Sequence, residues 1–359
     1  MASIDWTASG RQGWFEAYKI PASKGINGKQ TLMTGVTGGN LTWSLNSDNK
    51  VSGSLDVVRT GMLHNSYVRV YYCVTVGGKT QRVELCTCFA STEHGHYDPM
   101  GDTYSGTVDL VGVLARHTQD KLPKNFTLAK GKSALGYFKQ MFKWLGGAYS
   151  IQGVKDRKIG TTKVIECGET PMVVLQYIAD YLGAEIACDT HGRTVLRKYV
   201  EPAKKARKYV VPTGQKALAL PGVDMASTQD GTVNRAVVKF AYRDSSGREQ
   251  AIIGSAAASP SSAISKRNTD RWISEVYDLN GLSPRTVAKA NSVAKSYLKK
   301  ASGYTMSYSF TSSYMPYTIG DVIDFVQGKV RSRGIVTGID MRLDAAGTMT
   351  TTIRKVRAI

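Results

Sequence analysis

The sequence has no long apolar run. No segment approaches the roughly twenty apolar residues that a membrane-spanning helix requires. The opening "MASIDWTASGRQGW" also lacks the apolar core of a secretion signal. Both absences predict a chain made and retained in a cytoplasm. Cysteine is scarce: five residues, an odd number, fit reduced thiols better than a disulfide framework. Histidine is as scarce, also at five. There is no Gly-x-Ser-x-Gly elbow, no P-loop and no His-Glu-x-x-His helix. The glycines of "GVTGGN" lead into a strand, so they present no helix N-terminus to a phosphate. Acidic residues are the minority charge, 28 against 47 Lys and Arg, which leaves +19. Such an excess favours polyanions: nucleic acid, anionic cell-wall polymers or acidic partner subunits. A solvated basic surface without a specific partner accounts for it equally well. The densest basic run, "KKARK" at 204 to 208, lies between Pro202 and Pro212 and reads as a linker rather than a nucleic-acid helix.

What is present describes a folded chain. Hydrophobic residues at 42% and charged residues at 21% exclude disorder, and 359 residues leave room for two to four domains. The first third alternates apolar and polar residues, as half-buried strands do. Leu41, Trp43 and Leu45 recur at period two, then Val68, Val70, Tyr72, Val74 and Val76, then Val108, Leu110 and Leu114. "VGGKT" at 76 to 80 predicts a hairpin turn, because Gly77 and Gly78 take positive φ readily. This region predicts a β-barrel or sandwich.

Near residue 120 the period changes. "KSALGYFKQMFKWLGG" predicts a helix with Ser133 as N-cap, Leu135, Phe138, Met141, Phe142 and Leu145 on one face, and Gly146 at its end. "TPMVVLQYIADYLG" predicts a second, with Thr170 as N-cap, Pro171 at N1 and Gly183 past its end. A hairpin turning at His191-Gly192 completes a small α+β unit. Strands return in "RAVVKFAYRD", and the Ser/Ala-rich "GSAAASPSSAISK" at 254 to 266 reads as a loop or flap. A third helix should run from Ser283 and Pro284 to Gly303, its alanine-rich face of Val287, Ala290, Ala294, Tyr297, Leu298 and Ala301 packing closely on a neighbour. Strands close the chain. The predicted class is mainly β, α+β: two related β-barrels and two small α+β units, one inserted in the second barrel. The boundaries are 1–119 (first barrel), 120–204 (α+β), 205–245 with 303–359 (second barrel) and 246–302 (inserted unit).

The densest set of metal-ligating residues is "CTCFASTEHGHYDP", 86 to 99. Alternation puts Val83, Leu85 and Phe89 on one strand face and Cys86 with Cys88 on the other, while His94 and His96 lie a hairpin's length away. A Cys₂His₂ zinc site would use these four residues, yet structural zinc sites draw paired cysteines from a knuckle rather than from one strand. His94, His96 and Asp98 also echo the His-x-His-x-Asp cluster of binuclear hydrolases. Pro99 stands where that motif continues with histidine, and His64, His117 and His191 supply no second ligand set. Asp321 with Asp324 read as turn and strand-edge residues rather than a glycosidase pair. The residues predict no catalytic group, no cofactor and no metal site, with Cys86, Cys88, His94 and His96 as the weak metal candidates.

Several phrases, in order, resemble the tail-tip hub proteins of long-tailed phages. These are "GVTGGNLTWSLNSDNKVSGSLDVV", then the run from "VRVYYCVTVGGKTQRVELCTCFASTEHGHYDP" to "LVGVLARHTQDKL". "TPMVVLQYIADYLGAEIACDTHGRTVLRKYVEP" follows, and then the closing "YMPYTIGDVIDFVQGKVRSRGIVTGIDMRLDAAGTMTTTIRKV". The resemblance covers nearly the whole chain. It implies a fold similar to the baseplate hub of contractile tails and to the N-terminal part of tail-associated lysins. In that plan two barrels per chain assemble as a homotrimer, matching a six-fold tube on one side and a three-fold spike or fibre on the other. It implies a non-enzymatic virion protein at the tail tip, assembled in the host cytoplasm, through which DNA passes. Its partners would be the distal tail protein, the tape-measure protein and tip spike or fibre proteins. "EHGHYDP" falls where the family has a variable turn, and the chain's end at Ile359 implies no appended lytic or fibre domain. Two other readings remain: a tail protein that binds cell-wall polysaccharide through its basic surface, and a metal-dependent cell-wall hydrolase using the His94 region.

Overall fold

Alternation in the first third becomes seven strands. They are β1 (Gln12–Pro21), β2 (Thr31–Leu32), β3 (Val36–Ser44), β4 (Val51–Thr60), β5 (Ser66–Val76), β6 (Lys79–Asp98) and β7 (Thr103–Gly112). They pair in the order β2-β1-β5-β6-β7-β4-β3. The β5–β6 turn is the predicted one, with Gly77 at φ 55° and Gly78 at φ 75° and Val76 opposite Lys79. The structure, a computed structural model, describes residues 5–8, 10–60, 63, 65–227, 233–243, 246–262, 264–278, 286–301, 306–344 and 347–356.

The α+β unit follows as α1 (Ala115–Gln119), β8 (Phe126–Leu128), α2 (Ala134–Leu145), β9 (Tyr149–Gln152), β10 (Lys163–Ile165), α3 (Pro171–Leu182), β11 (Ala184–Cys188) and β12 (Thr194–Lys198). Ser133 caps α2, its Oγ accepting from Gly136 N at 2.7 Å, and Gly183 closes α3 in the left-handed region. Phe138, Met141 and Phe142 of α2 meet Leu175 and Ile178 of α3 in one buried cluster.

The last part of the chain contains β13 (Arg207–Val210), β14 (Asp224–Ser227), β15 (Arg235–Arg243), β16 (Glu249–Ala257), α4 (Lys266–Thr269), β17 (Ser274–Asp278), α5 (Val287–Ala301), β18 (Met306–Ser313), β19 (Val322–Gln327), β20 (Val330–Arg342) and β21 (Thr348–Lys355). Strands β16, β15 and β17 form a separate three-stranded sheet under α5. The predicted boundary at 245 had left β15 with the large sheet; it pairs instead inside the inserted unit, Arg235 to Arg243 against Ala257 to Glu249. The Ser/Ala-rich stretch is not a loop throughout, because β16 continues to Ala257. Its small residues admit α5: a Cβ on Gly254 would lie 2.3 Å from the carbonyl carbon of Ala290. The close helix packing expected of the alanine face is therefore present, with Ala290 and Ala294 fully buried. The predicted helix ends at Ser283, Pro284 and Gly303 lie outside the described residues.

The expected two barrels do not form. Strand β20 serves both halves of the chain: its start pairs with β19, its end pairs with β3 from Gly338↔Ser44 to Arg342↔Asn40, and its other edge pairs with β21. A register shift between Val336 and Gly338 marks the handover. One 13-stranded sheet results, and its main path runs from β14 at one edge to β2 at the other. Among the described residues no sheet closes into a barrel or curls strongly. Alternation specifies which face of a strand is apolar, not which edge it offers, so the joining pair was invisible in the pattern. The two halves also share one core, in which the Tyr72 ring sits 4.5 Å from Tyr314, and Val68, Val70 and Leu55 join Phe310, Phe325 and Ile339.

Candidate functional surfaces

The strand that carries the metal candidates is β6, and it runs unbroken from Lys79 to Asp98. "EHGHYDP" is therefore strand as far as Asp98 rather than a variable turn, because His94, Gly95 and His96 pair with Thr107, Gly106 and Ser105 of β7. Strict alternation across "RVELCTCFA" also fails. A bulge, with Cys86 opposite Val70 but Glu84 opposite Tyr71, leaves Leu85 as the extra residue. Leu85 and Cys86 consequently both enter the main core, together with Cys88. A hydrogen bond with Cys86, and then burial, push the Cys88 thiol well above its ordinary range. Both thiols are buried core groups, and the shift at Cys88 disfavours the thiolate that a metal takes.

His94 lies six residues further on, roughly 20 Å along an extended strand. It is exposed, with Nε2 3.3 Å from Asp109 Oδ2, and His96 is exposed beside it. The structure thus brings Cys86 to Cys88 and His94 near His96, but not the two pairs together. Among the described residues no group of three His, Cys, Asp or Glu side chains could hold a metal ion. The hydrolase reading consequently has no ligand set there. No described helix is long and apolar enough to cross a membrane.

A second cluster joins the α+β unit to the sheet. Arg69 of β5 is 1% exposed. Its Nη2 donates to the carbonyls of Ile26 at 2.8 Å and His191 at 3.1 Å, and its Nε donates to Thr87 Oγ1 at 2.8 Å. Glu84 Oε2 stands 3.8 Å from Arg69 Nε, and His191 Nδ1 lies 3.2 Å from Glu84 Oε1. The turn of the β11–β12 hairpin is thereby anchored on β5 and β6. The Nε and Nη2 donors both point at protein acceptors, which describes a structural joint rather than a catalytic group. Alternation correctly placed Val68, Val70, Tyr72 and Val74 in the core; it gave no sign that the α+β unit would bury Arg69 on the other face.

The outer face of the large sheet is the third surface. On β18, Tyr308 and Phe310 point into the core while Ser307, Ser309, Thr311 and Ser313 point out; on β21, Met349 and Ile353 point in while Thr350 and Thr352 point out. Registers align these positions into rows across five strands. Ser52, Thr42, Asp340, Thr350 and Thr311 stand directly opposite one another in sequence across β4, β3, β20, β21 and β18. The next row is Ser44, Gly338, Thr352, Ser309 and Asp224. Hydroxyls bond along the rows, Thr42 Oγ1 to Asp340 Oδ1 at 2.7 Å and Thr311 to Thr350 at 3.1 Å. Neither row carries a Lys or Arg, in a chain with 47 of them. The signal was legible in "TMSYSFTSSY" and "TMTTTIRKV", where hydroxyl residues alternate with apolar ones.

No protein-family model and no curated protein matches the sequence. Solved structures do match in fold. A tail protein from Neisseria meningitidis MC58 superposes with a TM-score of 0.66 at 10% identity, over 95% of this chain and 97% of that one. The 43 kDa tail protein of prophage MuSo2 from Shewanella oneidensis gives 0.62 at 15% identity, over 95% and 98%. A prophage tail protein from Listeria monocytogenes EGD-e gives 0.55 at 11% identity, over 94% of each. The chain shares its fold with these three tail proteins over 94–95% of its length.

Proposed function

We propose that the chain is a non-enzymatic hub at the tail tip of a long-tailed phage. It acts as a homotrimeric adaptor between the tube with its distal tail protein and the three-fold tip, with contacts to the tape-measure and to spike or fibre proteins. The observation that carries this reading is the likeness in fold to three tail proteins, two of them from prophages, over 94–95% of this chain and 94–98% of theirs. The units in this reading are 1–119, 120–204, 205–245 with 303–359, and 246–302, with β15 moved into the last. Assembly takes place in the host cytoplasm, and the finished protein sits at the virion's tail tip.

The hydroxyl rows supply the conduit. Duplex DNA carries one negative charge per ~1.7 Å of its axis, and each cation facing it adds counterion-release affinity. The two rows, whose only charged members are Asp340 and Asp224, offer hydration and hydrogen bonding without that hold, so DNA slides past them. Arg342 and Arg354 stand just beyond the rows on the same face. The positive excess belongs on the remaining surfaces. Light scattering of the purified full-length chain tests the assembly: a mass three times that of the chain is expected, and a monomer or dimer at micromolar concentration contradicts it.

A further inference from the structure

The run "KKARK" joins the α+β unit to the rest of the chain, and the fold gives it a neighbour that the sequence separates from it by ninety residues. Helix α5 buries Ala290, Ala294 and Leu298 on its own sheet and turns Ser296 and Lys299 away from it. Opposite them runs the segment after β12. Between the two lies a cleft of about 520 Å³ lined by Lys198, Tyr199, Val200, Glu201, Lys204, Ser296 and Lys299. Three lysines therefore converge from two elements onto one opening that holds a single carboxylate. Glu201 is engaged by Lys204 at 3.7 Å, while Lys198 and Lys299 have no carboxylate within 4 Å among the described residues. A second cleft, of about 630 Å³, differs: there Lys50 and Lys163 face three carboxylates, Asp48, Asp180 and Asp278, so acids outnumber lysines.

We infer that the lysine cleft binds an acidic, extended peptide segment of a partner protein. Two ammonium groups, with no carboxylate partner among the described residues, attract carboxylates. Tyr199 and the exposed Val200 give an apolar floor that a peptide's side chains can cover and a phosphate polymer cannot use. Lysine offers point charges without the planar fork that matches phosphate bidentately, and the cleft contains no arginine. A duplex is too wide to enter a space of this size. The inference rests on the hub reading only in supplying the kind of partner, a neighbouring tail protein.

The test uses the full-length protein at 0.15 M salt and a fluorescent twelve-residue probe of alternating Glu and Leu. Its Gln-for-Glu analogue, a duplex oligonucleotide and inorganic polyphosphate serve as competitors. The probe is expected to bind at least tenfold more tightly than the Gln analogue. The double variant Lys198→Glu/Lys299→Glu is expected to lose at least tenfold, and Lys79→Glu, at the β5–β6 turn, to lose nothing. Equal probe binding by the double variant overturns the inference. So does displacement of the probe by polyphosphate or duplex at lower concentration than by unlabelled peptide. A trimer that shows no such binding sinks the cleft and leaves the hub reading standing. Binding by a chain that never forms trimers does the reverse.

Discussion

Two helical units flank the large sheet, and they cohere by opposite means. The α+β unit is held by depth: Phe138, Met141, Phe142, Leu175 and Ile178 are all buried, with Phe138 and Phe142 rings 4.9 Å apart. The inserted unit is held by closeness. Its cores are small, Val238 and Phe240 with Ala290 and Ala294, then Val233, Ala236 and Leu298, and α5 approaches β16 where Gly254 has no side chain. A deep core spreads the loss of any one residue over many neighbours, whereas a close contact concentrates it at one position.

Gly254→Leu should break the inserted unit outright. The added side chain would start 2.3 Å from Ala290 and 2.5 Å from Asn291 N, both backbone atoms that cannot swing aside. A cost of about 4 kcal/mol or more is expected. Hydrogen exchange should rise across residues 235–301 and stay unchanged in α2 and α3. The counterpart in the deep core, Phe138→Ala, is expected to cost about 3–4 kcal/mol through lost contacts and a cavity. Its denaturation midpoint should fall while the α+β unit stays folded in the absence of denaturant.

Acid should separate the two units without any mutation. His117 of α1 is fully buried, with its ring 5.0 Å from Phe142 and Nε2 3.3 Å from Thr194 Oγ1. Burial, and then Arg116, lower its pKa from 6.5 to about 4. The unfolded chain takes up this proton first, so the contribution is complete above about pH 6.5 and is lost as pH falls towards 4. The full loss is on the order of 3 kcal/mol. No histidine lies in 235–301, so this softening should spare the inserted unit. Urea midpoints at pH 7 and pH 5 check it, and His117→Gln should flatten the difference for the α+β unit. The smallest effect is Ser133→Ala, which removes the α2 cap and its Oγ donation to Asp156 at 2.7 Å, for about 1 kcal/mol.

Local features were the legible ones. The Gly77-Gly78 turn, the Ser133 cap, the Pro171 start and Gly183 stop of α3, and the His191-Gly192 hairpin are each determined by a few adjacent residues, and each stands where its sequence put it. The pairing of β20 with β3 joins residues some 300 apart, and no periodicity encodes which edges meet. That pairing is why one sheet replaced two barrels. The bulge at Leu85 is a single inserted residue, which alternation reads straight through. Arg69 looked like the solvent side of a strand because burial by the α+β unit is a tertiary event. The hydroxyl rows were half legible: each strand shows the alternation, but only the register lines the strands up into rows whose sole charged members are Asp340 and Asp224.

In the proposed hub, the hydroxyl face lines the DNA path. Cryo-electron microscopy of tails that contain the full-length chain tests it most directly. The account predicts three copies around the tail axis, with Thr42, Thr350 and Ser309 facing the lumen. A copy number other than three, or a lumen lined instead by the Lys198–Lys204 surface, would contradict it.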